Sequence, residues 1–393
     1  MRRSPLLINK LSMSAQSSFS DTYAEARARF VRAAAEAGAR VFTYEHPSAT
    51  GPMGETLYLD AAWFGPRDAA SVLINTSGTH GAEGYGGSAA QLAWIEQMGP
   101  ASLPPGTALF MIHAVNPFGF AWGLRGTENN VDLNRNWLDH SKPHPANPLY
   151  AEVHPLMCPR HIDKGFANEL VMQSTKLLSV HGQWALEDAI TRGQYTHPDG
   201  FHFGGIRPEW STEVISALVR RELAHARRVG FIDWHSGPVG NGELIFLCFS
   251  KPGSVGFAQA SEWWGPRALD PEHVNALWGS KRPSRRGIVF WGIENLVKDH
   301  ADFAGAVVEF RSARAKDNPL ESLRISLLER WLRFEGGFNA PEAPRYFEEI
   351  REDYAPRRES WRENVITNAL TTYEQTLAGL GRWARETGSL AAD

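Results

Sequence analysis

The stretch Val72-Leu-Ile-Asn-Thr-Ser-Gly-Thr-His80-Gly-Ala-Glu83-Gly84 joins an apolar run to a glycine-rich turn and the start of a helix. Val72–Thr76 has the length and composition of a short buried strand, and Tyr85–Met98 is predicted to be helical. The glycines let the backbone turn sharply where the strand ends. This order of elements is typical of an α/β protein.

The same alternation continues along the chain. An amphipathic helix is predicted for Ser211–Arg228, directly before one of the apolar runs. Short buried strands that alternate with helices predict a mostly parallel sheet covered by helices on both faces. Sites in open sheets of this kind lie at the carboxyl edge of the strands. The further predicted strands are Ala108–Val115, Val229–Trp234, Leu244–Phe249 and Ala306–Phe310.

The chain divides into a short tail and one long domain. Residues 1–20 are Ser-rich and aperiodic, which predicts a disordered tail, and residues 21–393 are predicted to form a single domain. Residues 138–210 are rich in Pro, Gly and His and are predicted to be an insertion over the sheet edge, with one helix near Asn168–Thr191. A helical region is predicted from about residue 318, most clearly at Leu320–Phe334 and Arg362–Arg385.

Composition excludes several classes of protein. The 393 residues are 42% hydrophobic and 21% charged, which is typical of a globular protein. A formal net charge of −4 gives no basic field, so a nucleic-acid partner is not expected. No segment has the roughly 20 apolar residues of a membrane span, and the two cysteines are too few for a disulfide framework. We therefore expect a cytoplasmic protein without a membrane partner.

His80 and Glu83 are the first candidate metal ligands. Residues three apart on a helical turn face the same side, so these two side chains can converge on one point. Imidazole and carboxylate are both normal zinc ligands, although this spacing alone also occurs in ordinary surface turns. Gly84–Ala89 fits a loose dinucleotide-binding pattern, but the next strand ends in His113–Asn116 without the acidic residue that would hold a ribose.

The second candidate pair, Asp233 and His235, ends a predicted strand in the sequence Phe231-Ile-Asp-Trp-His-Ser-Gly237. Side chains two apart on a strand lie on one face. A zinc-bound histidine usually has its second ring nitrogen held by an acceptor, and Asp233 is a candidate for that role. A histidine at a strand end is more often a hydrogen-bonded core residue, so the prediction depends on a second ligand pair being present.

Two further features carry polar groups. The stretch Arg125-Gly-Thr-Glu-Asn-Asn-Val-Asp-Leu-Asn-Arg-Asn-Trp137 is dense in side chains that recognise carboxylates or oxyanions, although a solvated loop has a similar composition. Glu309 lies within an apolar, strand-like run, where an unpaired charge is rare. It is therefore either paired, with Arg311 or Arg314, or placed to take a proton from water.

Six pieces of sequence, in this order, resemble the zinc carboxypeptidase family and its relatives, the succinylglutamate desuccinylases and aspartoacylases. The resemblance covers about residues 70–137 and 229–311. The pieces are His80-x-x-Glu83, Asn116-Pro-Phe-Gly119, Arg125, Asp132-Leu-Asn-Arg-Asn-Trp137, Asp233-x-His235-Ser236 and Glu309 with Phe310 and Arg311.

The resemblance implies a metal site and a general base. One zinc ion would be held by His80, Glu83 and His235, and Glu309 would be the general base. Arg125 would steady the oxyanion. The family's fold is a three-layer α/β/α sandwich around a mixed, mainly parallel sheet.

The resemblance also implies a class of substrate. Asn134 and Arg135 would bind the substrate carboxylate or a neighbouring part of the substrate. We expect a hydrolase that cleaves an amide bond next to a free carboxylate, in a small peptide or an N-acyl amino acid. A metallocarboxypeptidase is the first expectation. The alternatives are an N-acyl-amino-acid deacylase, a catalytically silent binding protein on the same fold, and a serine or cysteine hydrolase that uses His235.

One departure from the family separates these alternatives. Carboxypeptidases carry a tyrosine on a mobile loop shortly before the base, and residues 196–344 contain no tyrosine. Either another group, such as Trp291, closes the site, or the substrate is not a standard peptide C-terminus. The desuccinylase and aspartoacylase branch also lacks that tyrosine, and its Gly-Thr-His-Gly-x-Glu turn resembles residues 78–83. Glu294 would favour a basic substrate if the carboxypeptidase register holds there.

Seven histidines crowd the predicted insertion. We interpret them mainly as loop residues, with a second metal site as the weaker alternative. They are His140, His144, His154, His161, His181, His197 and His202.

Overall fold

A seven-stranded sheet forms the centre of the protein in the computed structural model, which describes residues 17–162, 164–269, 284–313 and 319–389. The strands follow the order β1-β2-β4-β3-β5-β7-β6 across the sheet. Their bounds are β1 Arg40–Thr50, β2 Thr56–Phe64, β3 Ser71–Ser77, β4 Thr107–His113, β5 Arg228–Ser236, β6 Leu244–Leu247 and β7 Asp302–Phe310.

The four central strands, β4, β3, β5 and β7, are parallel, and the outer strands are antiparallel to their neighbours. The chain runs from β3 outward to β4 on one side and later returns to β5 on the other. This reversal opens a crevice beyond the carboxyl ends of β3 and β5, where open α/β sheets bind ligands. The predicted mixed, mainly parallel sheet is confirmed.

Helices cover both faces of the sheet. The longer helices are α1 Tyr23–Glu36, α2 Gly84–Ala93, α4 Tyr150–Met157, α5 Lys164–His181, α6 Gln183–Thr191, α7 Trp210–Glu222, α8 Val255–Trp264, α10 Val289–Val297, α11 Pro319–Phe334, α12 Ala343–Tyr354 and α13 Glu359–Ser389. Two shorter ones are α3 Pro117–Trp122 and α9 Pro266–Leu269. A π-helical turn extends α2 over Trp94–Met98, and single 3₁₀ turns cover Gly81–Glu83, Pro100–Ser102 and Leu133–Arg135.

Two apolar cores separate the sheet from its helix layers. Because side chains alternate along a strand, Ile232 and Trp234 of β5 pack against α1, α2, α8 and α13, whereas Phe231 packs on the opposite side against α7 and α10. Both faces of the central strands are therefore buried, and their sequences are nearly continuous apolar runs. The three-layer α/β/α arrangement expected from the sequence is therefore confirmed.

The five predicted strands are all present, whereas β1 and β2 were not predicted. The interpretation of the insertion was wrong in detail. It contains three helices, α4, α5 and α6, where one helix was predicted near Asn168–Thr191. Gly182, with φ of +78°, separates α5 from α6, because this left-handed conformation ends a helix.

The remaining regions are built around small cores of their own. The segment predicted to be an insertion has its own apolar cluster, which includes Val153, Leu186 and Leu327 of α11. Residues 1–16 of the predicted tail lie outside the described residues, whereas Phe19 is buried and its ring lies 5.6 Å from that of Trp361.

Within the described part of the chain, no helix is long and apolar enough to cross a membrane.

Candidate functional site

A cavity of about 430 Å³ opens at the carboxyl edge of β3, β5 and β7. Its volume is within the range of small-molecule sites. Six of the residues predicted for the site line it, and they come from four separate parts of the chain. These residues are His80, Glu83, Arg125, Asn134, Arg135 and Glu309.

The turn after β3 brings His80 and Glu83 together. Gly78 has φ of +71°, and the 3₁₀ turn Gly81–Glu83 then folds back so that His80 Nδ1 lies 2.8 Å from Glu83 Oε1. Gly81 packs so closely against α3 that a Cβ atom there would lie 1.9 Å from the Gly119 carbonyl carbon. The glycine-rich sequence is therefore required for both the turn and its packing.

The parallel pairing of β5 with β7 supplies the other side of the site. His235 is paired in register with Glu309, so the two side chains lie beside each other at the strand ends. His235 Nδ1 lies 3.1 Å from His80 Nδ1 and 3.0 Å from Glu83 Oε2. The backbone N–H of Ser236 donates to the same Glu83 oxygen at 2.9 Å. His80, Glu83 and His235 thus form a buried group whose ligand atoms could hold one metal ion.

The outer nitrogens of both rings face carboxylates. His80 Nε2 lies 3.1 Å from Asp132 Oδ1, and His235 Nε2 lies 2.5 Å from Asp233 Oδ2. A carboxylate accepts a hydrogen bond from a ring N–H, so each Nε2 contacts its carboxylate as a donor and each Nδ1 faces the Glu83 carboxylate. Two imidazole Nδ1 atoms and the Glu83 carboxylate therefore converge, an arrangement that suits a bound cation.

The donor set fits zinc. Ligand atoms about 2.0–2.1 Å from a tetrahedral ion lie about 3.3 Å from one another, close to the 2.8–3.1 Å separations seen among these three side chains. The local electrostatics favour added positive charge. Burial alone would lower the pKa of His235, but the carboxylates of Asp233 and Glu83 outweigh it and raise this pKa well above its ordinary value.

Asp233 is itself fixed from behind the site. Its Oδ1 atom accepts hydrogen bonds from the hydroxyls of Thr76 and Thr79 at 2.6 and 2.9 Å. Both donors belong to β3 or to the turn after it, so the partner that orients His235 is tied to the segment that carries His80. Asp233 therefore links the two ligand-bearing strands.

Asp132 has a larger role than the sequence indicated, since it was noted there only as part of a motif. It faces His80 through Oδ1, and its Oδ2 accepts from Arg125 Nε and Nη2 at 3.2 and 3.1 Å. Burial would raise the pKa of Asp132, but the charges of Arg125 and Arg135 outweigh it and hold this pKa well below its ordinary value. The carboxylate therefore stays ionised and orients a candidate ligand and a cavity arginine together.

Glu309 is buried at the cavity wall. Burial is the main cause that raises its pKa to about 7, and the negative charge of Glu83 adds to it. Within the described residues Glu309 forms no ion pair, so pairing with Arg311 is not seen, and Arg314 lies outside those residues. A carboxylate with a pKa near neutrality is suited to accept and return a proton.

Three further polar side chains, Arg125, Asn134 and Arg135, line the cavity and form what we call its polar wall. Arg125 places Nη1 3.4 Å from Glu83 Oε1, next to the candidate metal group. Asn134 accepts a hydrogen bond from the backbone N–H of Val289 through Oδ1, which turns its amide NH₂ the other way. Arg135 is 3% exposed and donates to the carbonyl oxygens of Asn134 and Thr191, both at 2.6 Å. This wall presents amide and guanidinium donors.

Two residues proposed from the carboxypeptidase register are elsewhere. Trp291 packs on Phe249, with ring centroids 5.5 Å apart, and is not among the residues that line the cavity. Glu294 lies in a separate hollow beside Lys298. The cavity is instead lined by Tyr354, from the end of α12, a tyrosine that comes after Glu309 in the sequence. A search confined to the segment before the base could not find it.

The C-terminal helical region also reaches the site through Glu329 of α11. Both carboxylate oxygens of Glu329 accept from the backbone N–H of Arg125 at 2.8 Å. This contact fixes the start of the polar stretch at the cavity wall. Nothing in the local sequence around Glu329 indicates it, because its partner lies far away in the chain.

The histidines of the insertion form separate small groups. His140 Nδ1 lies 2.9 Å from His144 Nε2. A second set of possible metal ligands is His154, Cys158 and Asp199, but the Arg330 guanidinium lies 3.2 Å from Asp199 and already neutralises it. Burial raises the pKa of the Cys158 thiol to about 12, so it is not a ready thiolate ligand. These contacts serve the packing of the insertion.

The fold and the site together define a class: an α/β/α protein with a buried His/Glu/His group, able to hold a metal ion, beside a buried carboxylate. The chain belongs to the family described as protein of unknown function DUF2817, whose sequence profile matches residues 19–368. No curated protein matches the chain.

Solved structures similar to the chain come from both groups that its motifs resemble. Bovine thrombin-activatable fibrinolysis inhibitor, in complex with tick carboxypeptidase inhibitor, is 12% identical over 90% of this chain and 97% of that one, with a TM-score of 0.42. Carboxypeptidase A from Helicoverpa armigera is 14% identical over 85% and 74%, with a TM-score of 0.42. Succinylglutamate desuccinylase from Vibrio cholerae is 14% identical over 75% and 65%, with a TM-score of 0.34.

Proposed function

We propose that this protein is a zinc-dependent hydrolase that cleaves an amide bond next to a free carboxylate. The observation that carries the proposal is the convergence of His80 Nδ1, His235 Nδ1 and the Glu83 carboxylate, with both outer ring nitrogens held by carboxylates. A catalytic zinc site uses three such ligands and keeps one position open. Here the open side would face the cavity.

In this proposal, His80, Glu83 and His235 hold one zinc ion, which acts as a Lewis acid and lowers the pKa of water. Asp132 and Asp233 keep the two imidazoles in the tautomer that presents Nδ1. Glu309 takes a proton from the attacking water and returns it to the nitrogen that leaves. Its buried position and raised pKa support this role.

The polar wall would bind the substrate. Arg125, beside Glu83, is placed to stabilise negative charge that develops on the carbonyl oxygen. Asn134 and Arg135 provide an amide and a guanidinium group for a carboxylate. Because both are oriented by backbone hydrogen bonds, little side-chain ordering would accompany binding.

The substrate is proposed to be a small peptide or an N-acyl amino acid, with metallocarboxypeptidase activity as the first candidate. Tyr354 supports that candidate, because a tyrosine lines the cavity even though none lies in the segment shortly before the base. An N-acyl-amino-acid deacylase is the alternative, supported by the turn at residues 78–83. Cytoplasmic location stays a prediction from the sequence.

The test is Glu309→Gln, which keeps the shape of the side chain and removes the proton acceptor. We expect the variant to retain one zinc ion per chain and to lose about 10²–10⁴-fold in kcat on C-terminally varied peptides or N-acyl amino acids. Glu294→Gln is the matched control, since Glu294 lies in a separate hollow and should leave turnover unchanged. Loss of zinc with partial activity retained would show that Glu309 has another role.

The same substrate panel separates the alternatives. Turnover of peptides that depends on the C-terminal residue indicates a carboxypeptidase, and turnover confined to N-acyl amino acids indicates a deacylase. A zinc-loaded protein that binds these compounds without cleaving any would be a binding protein. Activity that persists after a chelator has removed the zinc would instead favour a serine or cysteine hydrolase.

A further inference from the structure

The predicted insertion reaches the cavity through the loop at residues 192–209, between α6 and α7, and this loop is tied to the polar wall. The backbone N–H of Asp132 donates to the Phe203 carbonyl at 2.8 Å, and Asn136 Nδ2 donates to the Gly204 carbonyl at 2.8 Å. The Tyr195 hydroxyl donates to the Arg135 carbonyl at 2.8 Å. The loop is therefore held against the stretch that carries Asn134 and Arg135.

His202 lies in this loop and lines the cavity. It also borders a small hollow behind the wall, next to Arg125 and Asp132. Its backbone is left-handed, with φ of +49°, a conformation that few residues with a side chain adopt. Strain of this kind persists where the surroundings enforce it, and it occurs often at functional sites.

The His202 imidazole is incompletely satisfied by the protein. Its Nδ1 atom is buried and has no hydrogen-bond partner within the described residues. Burial, reinforced by the charges of Arg125 and Arg135, lowers the pKa of His202 well below its ordinary value. The ring is therefore neutral at pH 7 and offers one N–H donor and one acceptor in a strongly positive part of the cavity.

Arg135 also has a buried nitrogen, Nε, without a hydrogen-bond partner in the described part of the chain. The nearest Asp132 oxygen is 3.9 Å from Nη1, too far for a hydrogen bond. Buried polar atoms of native proteins are usually paired, whereas His202 and Arg135 each leave a buried nitrogen unpaired among the described residues and both line the same cavity. An anionic group on a bound molecule would satisfy both.

Within the hydrolase function proposed above, we infer that His202 is a substrate-contacting residue whose imidazole N–H donates to the substrate carboxylate together with Arg135. The insertion thereby adds a subsite to the cavity. Its ligand class is a small molecule with a free carboxylate next to the amide bond. Because the ring is neutral, its N–H would orient the substrate carboxylate through a hydrogen bond. The positive charge that attracts this carboxylate would come from Arg135.

The test compares His202→Gly with the wild type on one substrate in two forms, the free acid and its C-terminal amide. Glycine adopts the left-handed backbone without strain, so the variant should fold. We expect KM for the acid to rise roughly tenfold to a hundredfold, the worth of a hydrogen bond to a charged group, with kcat changed less than about threefold. The amide form should be unaffected. Equal losses on both forms would mean a structural role and would overturn the inference.

Two further variants complete the design. His202→Asn keeps a side chain that tolerates this backbone and offers an N–H donor, so it should recover part of the loss on the acid. His225→Asn, at an exposed histidine remote from the cavity lining, should match the wild type. If no amide is cleaved by any variant, the proposed function fails. The subsite is then tested by the binding of N-acetyl amino acids, and equal affinity of wild type and His202→Gly would refute it.

Discussion

Asp132 connects the candidate metal group to the polar wall. It accepts from Arg125 on one oxygen and faces His80 Nε2 with the other. Asp233 has the corresponding position behind His235. The geometry thus gives each imidazole its own carboxylate, which is placed to fix the orientation of the ring.

Replacing Asp132 by asparagine should weaken metal binding without dismantling the fold. Asparagine has nearly the same shape but no charge, so His80 loses the acceptor that fixes its tautomer. We expect zinc affinity to fall about 10–100-fold, measured by competition with a chromophoric chelator. An affinity equal to that of the wild type would show that Asp132 does not orient His80.

His113, at the end of β4, gives a pH dependence that is separate from the site. Its Nε2 atom lies 2.9 Å from the Ser88 hydroxyl, and its ring stacks on Phe30 with centroids 4.6 Å apart. Burial, helped by the charge of Arg27, lowers its pKa from 6.5 to about 3. Below pH 6.5 the unfolded chain therefore binds a proton that the folded chain does not.

Because of this difference, the titration of His113 does not lower the free energy of unfolding above about pH 6.5. As the pH falls from there toward 3, the free energy of unfolding falls by about 1.4 kcal/mol per pH unit. Between about pH 7 and pH 5, the free energy of unfolding should fall by about 2 kcal/mol because of His113. His113→Gln should remove that part of the slope, measured by urea unfolding at the two pH values. An unchanged slope would show that other groups cause the acid sensitivity.

The turn between β3 and α2 is the element on which the ligand geometry depends. Gly81→Ala places a Cβ atom 1.9 Å from the Gly119 carbonyl carbon, and backbone cannot move aside as a flexible side chain can. We expect lower thermal stability and a loss of zinc affinity of at least about tenfold, because His80 and Glu83 flank the turn.

Gly86→Ala is the control for this prediction. Gly86 lies in α2, where the nearest atoms to an added Cβ, in Phe310 and Trp361, are 3.5 Å away, an ordinary contact. Alanine is the better helix former, so this variant should be neutral or stabilised by up to about 1 kcal/mol with normal zinc affinity. If both variants behaved alike, the close approach of Gly81 to α3 would not be what holds the turn.

The elements that the sequence predicted well are those with continuous apolar runs. β3, β5 and β7 are buried on both faces, so their composition alone marks them as strands. β1 was not predicted because it lies at the sheet edge, where polar and partly exposed residues interrupt the apolar pattern. The helix predicted near Asn168–Thr191 was split because a single glycine, Gly182, adopts a left-handed conformation that periodicity does not reveal.

Across the whole molecule, local sequence indicated the candidate ligands but not the groups that hold them. His80, Glu83, His235 and Glu309 could be proposed from the sequence because each follows or ends a recognisable strand. Contacts from the insertion and from α11 and α12 depend on long-range packing, so no local pattern marks Glu329, Tyr354 or the tie between His202 and the polar wall.

The measurement that tests the central claim most directly is the zinc content of the purified chain after dialysis, determined by elemental analysis for the wild type and for His80→Ala. The account predicts one zinc ion per wild-type chain and less than about one tenth of that in the variant, with the far-ultraviolet circular dichroism of both alike. A wild-type chain that retains no zinc, or a variant that retains as much as the wild type, would contradict it.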